Sequence, residues 1–258
     1  MLLFMIKKAF FDLWDNFLQS VILNLGFIAV LAVPLALPQP LSGIHPALAA
    51  LMLVVGVIVS VVYVGAASFM ARDITNYETP EWRDFWDYLK QTWPAGLVLG
   101  GIYVLHIFLI TVAFPVYGGM NNILGLAALA FLFWASVIWI IASQFYFPIR
   151  SRLDTSVRKV LKKCFIVFFD NTGFAIYTAV GTLIITALSI FTAFLLPGVM
   201  GILIWIQAGF KLRLYKYDYL EEHPDVKRNQ VPWDALLIDE RDRVGKRTFK
   251  GMIFPWKE

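Results

Sequence analysis

Polar and apolar positions follow two rhythms along this chain. Apolar runs of about 20 residues, the length a helix needs to cross about 30 Å of hydrocarbon, recur near 18–37, 47–71, 94–114, 123–147, 173–195 and, in shorter form, 199–212. Between them lie segments whose apolar residues return every third or fourth position, the mark of a helix with one apolar face. In the first, Leu3, Ile6, Phe10, Leu13, Trp14 and Phe17 share a face, and Lys7, Lys8, Asp12 and Asp15 lie elsewhere. The second opens at Thr79, Pro80 and Glu81, which supply a capping hydroxyl, a proline at the first position and an acid near the positive end of the helix dipole. Trp82, Phe85, Trp86, Leu89 and Trp93 line its apolar face. In the third, Asp154 stands at the N-cap position. Val157, Val160, Leu161, Cys164, Phe165 and Phe168 then share one face, and Arg158, Lys159, Lys162 and Lys163 take the other.

These rhythms predict an all-α protein: a six-helix transmembrane bundle built as three repeats, each a surface helix followed by a membrane hairpin. The units cover about 3–73, 81–150 and 154–214, and a short cytoplasmic tail covers 215–258. The turns inside the hairpins are uncharged and rich in turn-formers: Pro38, Pro40, Ser42 and Gly43; Pro115, Gly118 and Gly119; Pro197 and Gly198. The corners leading into the first span of each unit read FFDLWDNF, DFWDYLKQTW and VFFDNTGF, each mixing aromatic residues with an acid. Either an internal repeat or a common interfacial chemistry accounts for that likeness.

Composition adds orientation. The chain has 258 residues, is 59% hydrophobic and only 16% charged, against roughly 25% charged in average soluble domains. The net charge of +4 sits beside membrane spans, so topology and anionic lipid account for it better than nucleic acid does. All 22 Lys and Arg and all 18 Asp and Glu fall in the N-terminal segment, the two long connections, or the tail and its approach. The positive-inside rule therefore puts both termini and both long connections in the cytoplasm. The four bases Arg158, Lys159, Lys162 and Lys163 read together as a lipid-surface anchor. The first helix is expected to remain uncleaved, because its run is long enough to span. The single Cys164 rules out an internal disulfide and reads as a small core residue.

Candidate chemistry is sparse. Acids and bases are missing from the interiors of the spans, which argues against ion-coupled transport. His106, Gln144 and Gln207 are the candidates for a polar cavity, with His106 expected to bond a neighbouring backbone, Tyr103 or Thr111. No hydrolase, zinc or phosphate-loop motif occurs, so no catalytic residue, metal or cofactor is expected. Gly96 and Gly100 have the spacing for close helix packing, within the chain or across a homo-oligomer seam. Trp82, Trp86 and Trp93 make an aromatic surface that either sits at the lipid headgroups or docks a protein partner. Phe249, Ile253, Phe254 and Trp256, interleaved with bases, either lie on the membrane or enter a groove on a partner.

Three surface helices with their hairpins, the aromatic-acid corners and the terminal FPWK together resemble the YesL-like family of bacterial membrane proteins of unknown function. The membrane domain of glycerophosphodiester phosphodiesterases is similar in outline. The YesL-like resemblance covers about the whole chain and defines no catalytic residue. It implies a bacterial inner-membrane protein, and the frequent encoding of such members with carbohydrate ABC-transporter parts implies an accessory role beside a permease. The leading expectation is a non-enzymatic accessory or scaffold protein that docks a partner on its cytoplasmic face. The alternative is a transporter or channel for a neutral or apolar small solute.

Overall fold

The computed structural model describes residues 1–228 and 230–247. The described chain is all α, with helices α1 (Leu2–Asp15), α2 (Phe17–Ala36), α3 (Pro38–Ser42), α4 (Pro46–Thr75), α5 (Trp82–Gly118), α6 (Ile123–Ser143), α7 (Tyr146–Arg152), α8 (Val157–Asp170), α9 (Thr172–Phe191), α10 (Gly198–Glu222), α11 (Trp233–Leu236) and α12 (Ile238–Val244). Among the described residues, five helical stretches are long and apolar enough to cross a membrane: Phe17–Ser42, Pro46–Thr75, Trp82–Gly118, Ile123–Arg152 and Thr172–Phe191. They are compatible with a multi-pass membrane protein.

The helix starts follow local chemistry. Pro46 opens α4, where the His45 ring accepts from the Ala47 amide at 3.1 Å. Asn122 caps α6 by accepting from the Gly125 amide at 2.8 Å. Two of the surface helices end at an Asp-Asn pair. Asn16 (φ −113°, ψ 33°) separates α1 from α2, and Asn171 (φ −139°, ψ 50°) separates α8 from α9. Both asparagines leave helical geometry, so the chain turns there from an amphipathic helix into a long apolar one.

Three expectations about boundaries change. The second surface helix and the third span are one 37-residue helix, α5, which passes through Pro94 and Pro115 without breaking. No asparagine interrupts it, and proline alone removes one backbone hydrogen bond without forcing a corner. Its cap is Glu81 rather than Thr79: the Glu81 and Asp84 side chains form a reciprocal capping box, with the Glu81 amide donating to Asp84 at 2.7 Å. Likewise α8 is capped at Ser156 and starts at Val157. The Asp154 carboxylate accepts from the Ser156 amide at 3.0 Å, and so orders the turn before the helix.

The shortest apolar run became the centre of the molecule. α10 extends to Glu222, past residue 214 where the membrane part was expected to end, and its residues 198–210 are buried except Ile202. It packs on α1, α2, α4 and α9. Small residues permit this: a Cβ at Gly209 would stand 2.3 Å from Met5, and one at Gly181 of α9 would stand 2.3 Å from the Trp205 ring. Buried Asn24 of α2 ties down the start of α10. Its amide nitrogen donates to the carbonyls of Leu195 (2.9 Å) and Pro197 (3.0 Å), and its oxygen accepts from the Met200 amide at 2.8 Å. That supplies a cap the local sequence lacks. Gly96 and Gly100 of α5 face α4, where a Cβ would stand 2.8 Å from Val62 Cα and 3.0 Å from Ile58 Cα. Their packing is therefore within the chain.

Candidate functional site

The ends of α1, α4, α5, α7 and α10 gather the charged residues at one end of the bundle, and the tail folds onto that end. At its centre is Glu240 of α12, 3% exposed. One carboxylate oxygen accepts from Tyr215 at 2.7 Å and lies 2.6 Å from the Lys211 ammonium. The other accepts from Tyr77 at 2.7 Å and lies 3.3 Å from Lys8. Lys8 is fully buried, 3.1 Å from the Asp12 carboxylate and 3.8 Å from the centre of the Tyr77 ring. Lys211 also donates to the Thr75 carbonyl at 3.0 Å. The cluster thus joins four separated parts of the chain: α1, the turn after α4, α10 and the tail.

Tyr77 is placed by strained backbone. It follows the C-terminus of α4 with φ +65°, where glycine is easiest. The Tyr77 amide bonds the Ile74 carbonyl at 3.0 Å, and the Glu78 amide bonds the Asp73 carbonyl at 3.0 Å. This pair of bonds closes the helix end. A left-handed residue other than glycine costs on the order of 1–2 kcal/mol, and the phenol gained here contacts both Lys8 and Glu240.

The two acids beside Lys8 behave oppositely. Burial raises the Asp12 carboxyl to about 6, against a smaller lowering by Lys8. Burial would raise Glu240 too, but Lys8, Lys211 and the Tyr77 hydroxyl outweigh it and hold the carboxyl at about 2. Glu240 has two cations and two hydroxyl donors, whereas Asp12 has the shared ammonium alone.

Neighbouring networks complete this end. Arg152 donates to Gln207 (3.0 Å), Asn76 (3.0 Å) and Thr75 (2.8 Å). Gln207 in turn donates to the carbonyl of Ser68 at 3.0 Å. Arg72 pairs with Asp73 at 2.6 Å, and Asp73 also accepts from Tyr88 at 2.6 Å. At the corner between α8 and α9, Asn171 donates to Tyr217 and accepts from Lys216 at 3.1 Å, while Arg228 pairs with Asp170.

The residues singled out in the sequence are dispersed. Gln207 belongs to the Arg152 network. Gln144 donates to the carbonyls of Ile141 (2.8 Å) and Ala175 (3.0 Å), bridging to α9, and lines a partly open cavity of about 320 Å³ that neither His106 nor Gln207 lines. The expected partners of His106 are engaged elsewhere: Tyr103 donates to Ser143 and Thr111 to Ile107. The His106 Nε2 atom is buried without a hydrogen-bond partner among the described residues. Trp82, Trp86 and Trp93 are exposed on α5, Trp86 at 61%. Arg158, Lys159 and Lys162 are exposed on α8, and Lys163 is half-buried 3.6 Å from Asp154. Phe249, Ile253, Phe254 and Trp256 lie outside the described residues. Among those described, no group of three or more His, Cys, Asp or Glu is placed to hold a metal ion.

The ionic cluster itself escaped sequence reasoning. Two signals pointed toward it: Lys8 and Asp12 one turn apart, and tail apolar residues Val231, Leu237 and Val244, all of which are buried. A tail that only needed solvent would not hide them. Compared with models of known protein families, with curated proteins and with solved structures, the chain matches none.

Proposed function

We propose that this chain is a non-enzymatic inner-membrane scaffold or accessory protein that docks a protein partner on a cytoplasmic face formed by the charged end. In this reading α10 is a sixth crossing, the three surface helices head three related hairpins, and both termini are cytoplasmic. The bases at one end and the uncharged turns at the other support that orientation. The observation that carries the reading is the anchoring of α12 by Glu240 to Lys8 and Lys211. It makes the tail part of the face, while Trp82 and Trp86 of α5 stay exposed. Exposed aromatic residues are enriched at docking surfaces. The resemblance to YesL-like proteins adds a carbohydrate ABC-type permease as the class of partner.

The test is gentle purification of the full chain, a form ending at Arg243, and a Trp82→Ala/Trp86→Ala form. The truncation keeps Glu240 and removes the apolar terminus. A partner retained by the full chain and lost from the altered forms supports docking. Absence of any co-purifying protein from all three ends the reading.

A further inference from the structure

The cavity of about 320 Å³ lies between α2, α4, α5, α10 and the junction of α6 with α7. Its walls are mostly apolar, and among the described residues no charged one lines it. Most of its polar side chains spend their donors within the protein; the exception is Ser68, whose hydroxyl oxygen accepts from Gln207 at 3.1 Å. Tyr103 donates to Ser143 at 2.8 Å, and Ser143 donates to the Ile140 carbonyl at 3.0 Å. Ser60 donates to the Gly56 carbonyl at 2.8 Å. The Gln144 nitrogen spends itself on two carbonyls, which fixes the orientation of the amide. Lone pairs remain on Ser60 Oγ, Tyr103 Oη and Gln144 Oε1, and none of the three accepts a hydrogen bond from a described residue.

We propose that this cavity is a binding site for a neutral, largely apolar molecule carrying a hydroxyl group, which donates to this set of acceptors. Three arguments give the chemical class. A carboxylate brings a charge that no cation among the described lining residues balances. An ammonium finds no counter-charge, and an unpaired ion away from water is strongly disfavoured. A pure hydrocarbon fills the space but leaves the acceptors unmatched. The volume is about ten times the roughly 30 Å³ a water occupies in the liquid, which suits a ligand, or part of one, of about ten heavy atoms. The site stands apart from the ionic cluster and is independent of partner docking.

The test uses the full chain in lipid nanodiscs and three photoreactive diazirine probes of equal length: a ten-carbon primary alcohol, the matching carboxylic acid and the matching alkane. Labelled segments are located by mass spectrometry. The alcohol is expected to label the segments holding Tyr103, Gln144 and Leu203 at least tenfold more than the acid or the alkane, and unlabelled decanol should compete. Ser60→Phe, which fills the cavity from α4, should abolish that labelling and leave labelling of exposed α6 unchanged. Where Ser60→Phe is not monodisperse, Val64→Phe fills the same space from the next turn. Alkane labelling equal to that of the alcohol, alcohol labelling no stronger than on exposed α6, or full labelling of a filled variant would overturn the proposal.

Discussion

Two amphipathic helices make the most instructive pair. α1 and α8 each have 14 residues, each ends at an Asp-Asn pair, and each leads into a long apolar helix. Both carry lysines on the side away from their apolar stripe. Yet Lys8 of α1 is fully buried, whereas Arg158, Lys159 and Lys162 of α8 are exposed. The difference comes from elsewhere in the chain. α12 brings Glu240 to Lys8, and the turn after α4 brings the Tyr77 ring. On α8 the nearest acid is Asp154, 3.6 Å from Lys163. The fate of a basic side chain on an amphipathic helix is thus set by what covers it.

Removing the cover gives the largest expected effect. Glu240→Gln leaves Lys8 and Lys211 without their shared carboxylate. Losing one partner of a buried ion pair costs about 3–5 kcal/mol. Hydrogen exchange in 238–244 should then speed up by two or more powers of ten, at about 1.4 kcal/mol per power. Combining Glu240→Met with Lys8→Met, Lys211→Met and Asp12→Asn should recover part of that loss, because no member of the cluster is then left as a lone buried charge. Unchanged exchange in α12 would mean that apolar Leu237 and Val244 hold the tail without help from the ions.

The same comparison predicts an unusual pH response. Asp12 moves up from 3.8 to about 6, so the folded protein takes up a proton before the unfolded chain does. Its protonation therefore favours folding: the gain is complete below pH 3.8 and is lost as pH rises through about 6. Glu240 moves down from 4.5 to about 2, so its contribution is present above pH 4.5 and is lost as pH falls toward 2. Each amounts to about 3 kcal/mol on the linkage relation. From these two groups stability should peak between about pH 3.8 and 4.5 and decline toward pH 6 on one side and pH 2 on the other. Asp12→Asn should flatten the rise between pH 7 and 5.5 and keep the loss in stronger acid. A wild-type thermal midpoint that falls steadily from pH 7 to 5 would contradict the assignment of Asp12.

Much of the fold is legible in local sequence because it rests on local causes. Apolar runs, uncharged turns and the Asp-Asn corners mark helix boundaries through residues within one or two turns. The apolar stripe of α8 needs only its own spacing, and Val160, Cys164 and Phe168 are buried accordingly. The ionic cluster has no such trace. It joins residues 8, 77, 211 and 240, and no periodicity links positions that far apart. The central place of α10 is hidden for a related reason: Lys211, Arg213 and Lys216 make it read as the weakest span, while burial of residues 203–210 makes it the packing core. The expected continuity of the three units fails at α5, where no residue leaves helical geometry as Asn16 and Asn171 do.

The two asparagine corners give a smaller effect and a direct contrast. Asn171 bonds Tyr217 and accepts from buried Lys216 of α10, so Asn171→Ala leaves that ammonium without its hydrogen-bond acceptor. The expected cost is about 1–3 kcal/mol. Asn16 bonds only back to the Asp12 carbonyl of its own helix, at 3.0 Å, and its alanine variant should cost less than about 1 kcal/mol. Thermal unfolding followed by circular dichroism in one detergent separates the cases. Equal midpoints for the two variants would show that the corners matter as local breaks, with the tie to α10 contributing nothing.

The smallest effect on stability belongs to the exposed bases of α8. Changing Arg158, Lys159, Lys162 and Lys163 together to glutamine should shift stability by no more than about 0.5 kcal/mol per site, because exposed charges stabilise folds little. Their attraction to anionic lipid, about 1 kcal/mol per base near the surface, should be lost instead. Enrichment of spin-labelled anionic lipid around the protein measures that loss. Lys163 should contribute least, since Asp154 already faces it. Orientation can be read on the same variant with Ser42→Cys at the exposed end of α3, because burial pushes the native Cys164 thiol up to about 12 and keeps it unreactive. Lys8→Gln on α1 should do the reverse, lowering stability and leaving lipid enrichment alone. If the four α8 changes destabilise the fold as much as Lys8→Gln does, the bases of the two helices play the same structural part and burial does not distinguish them.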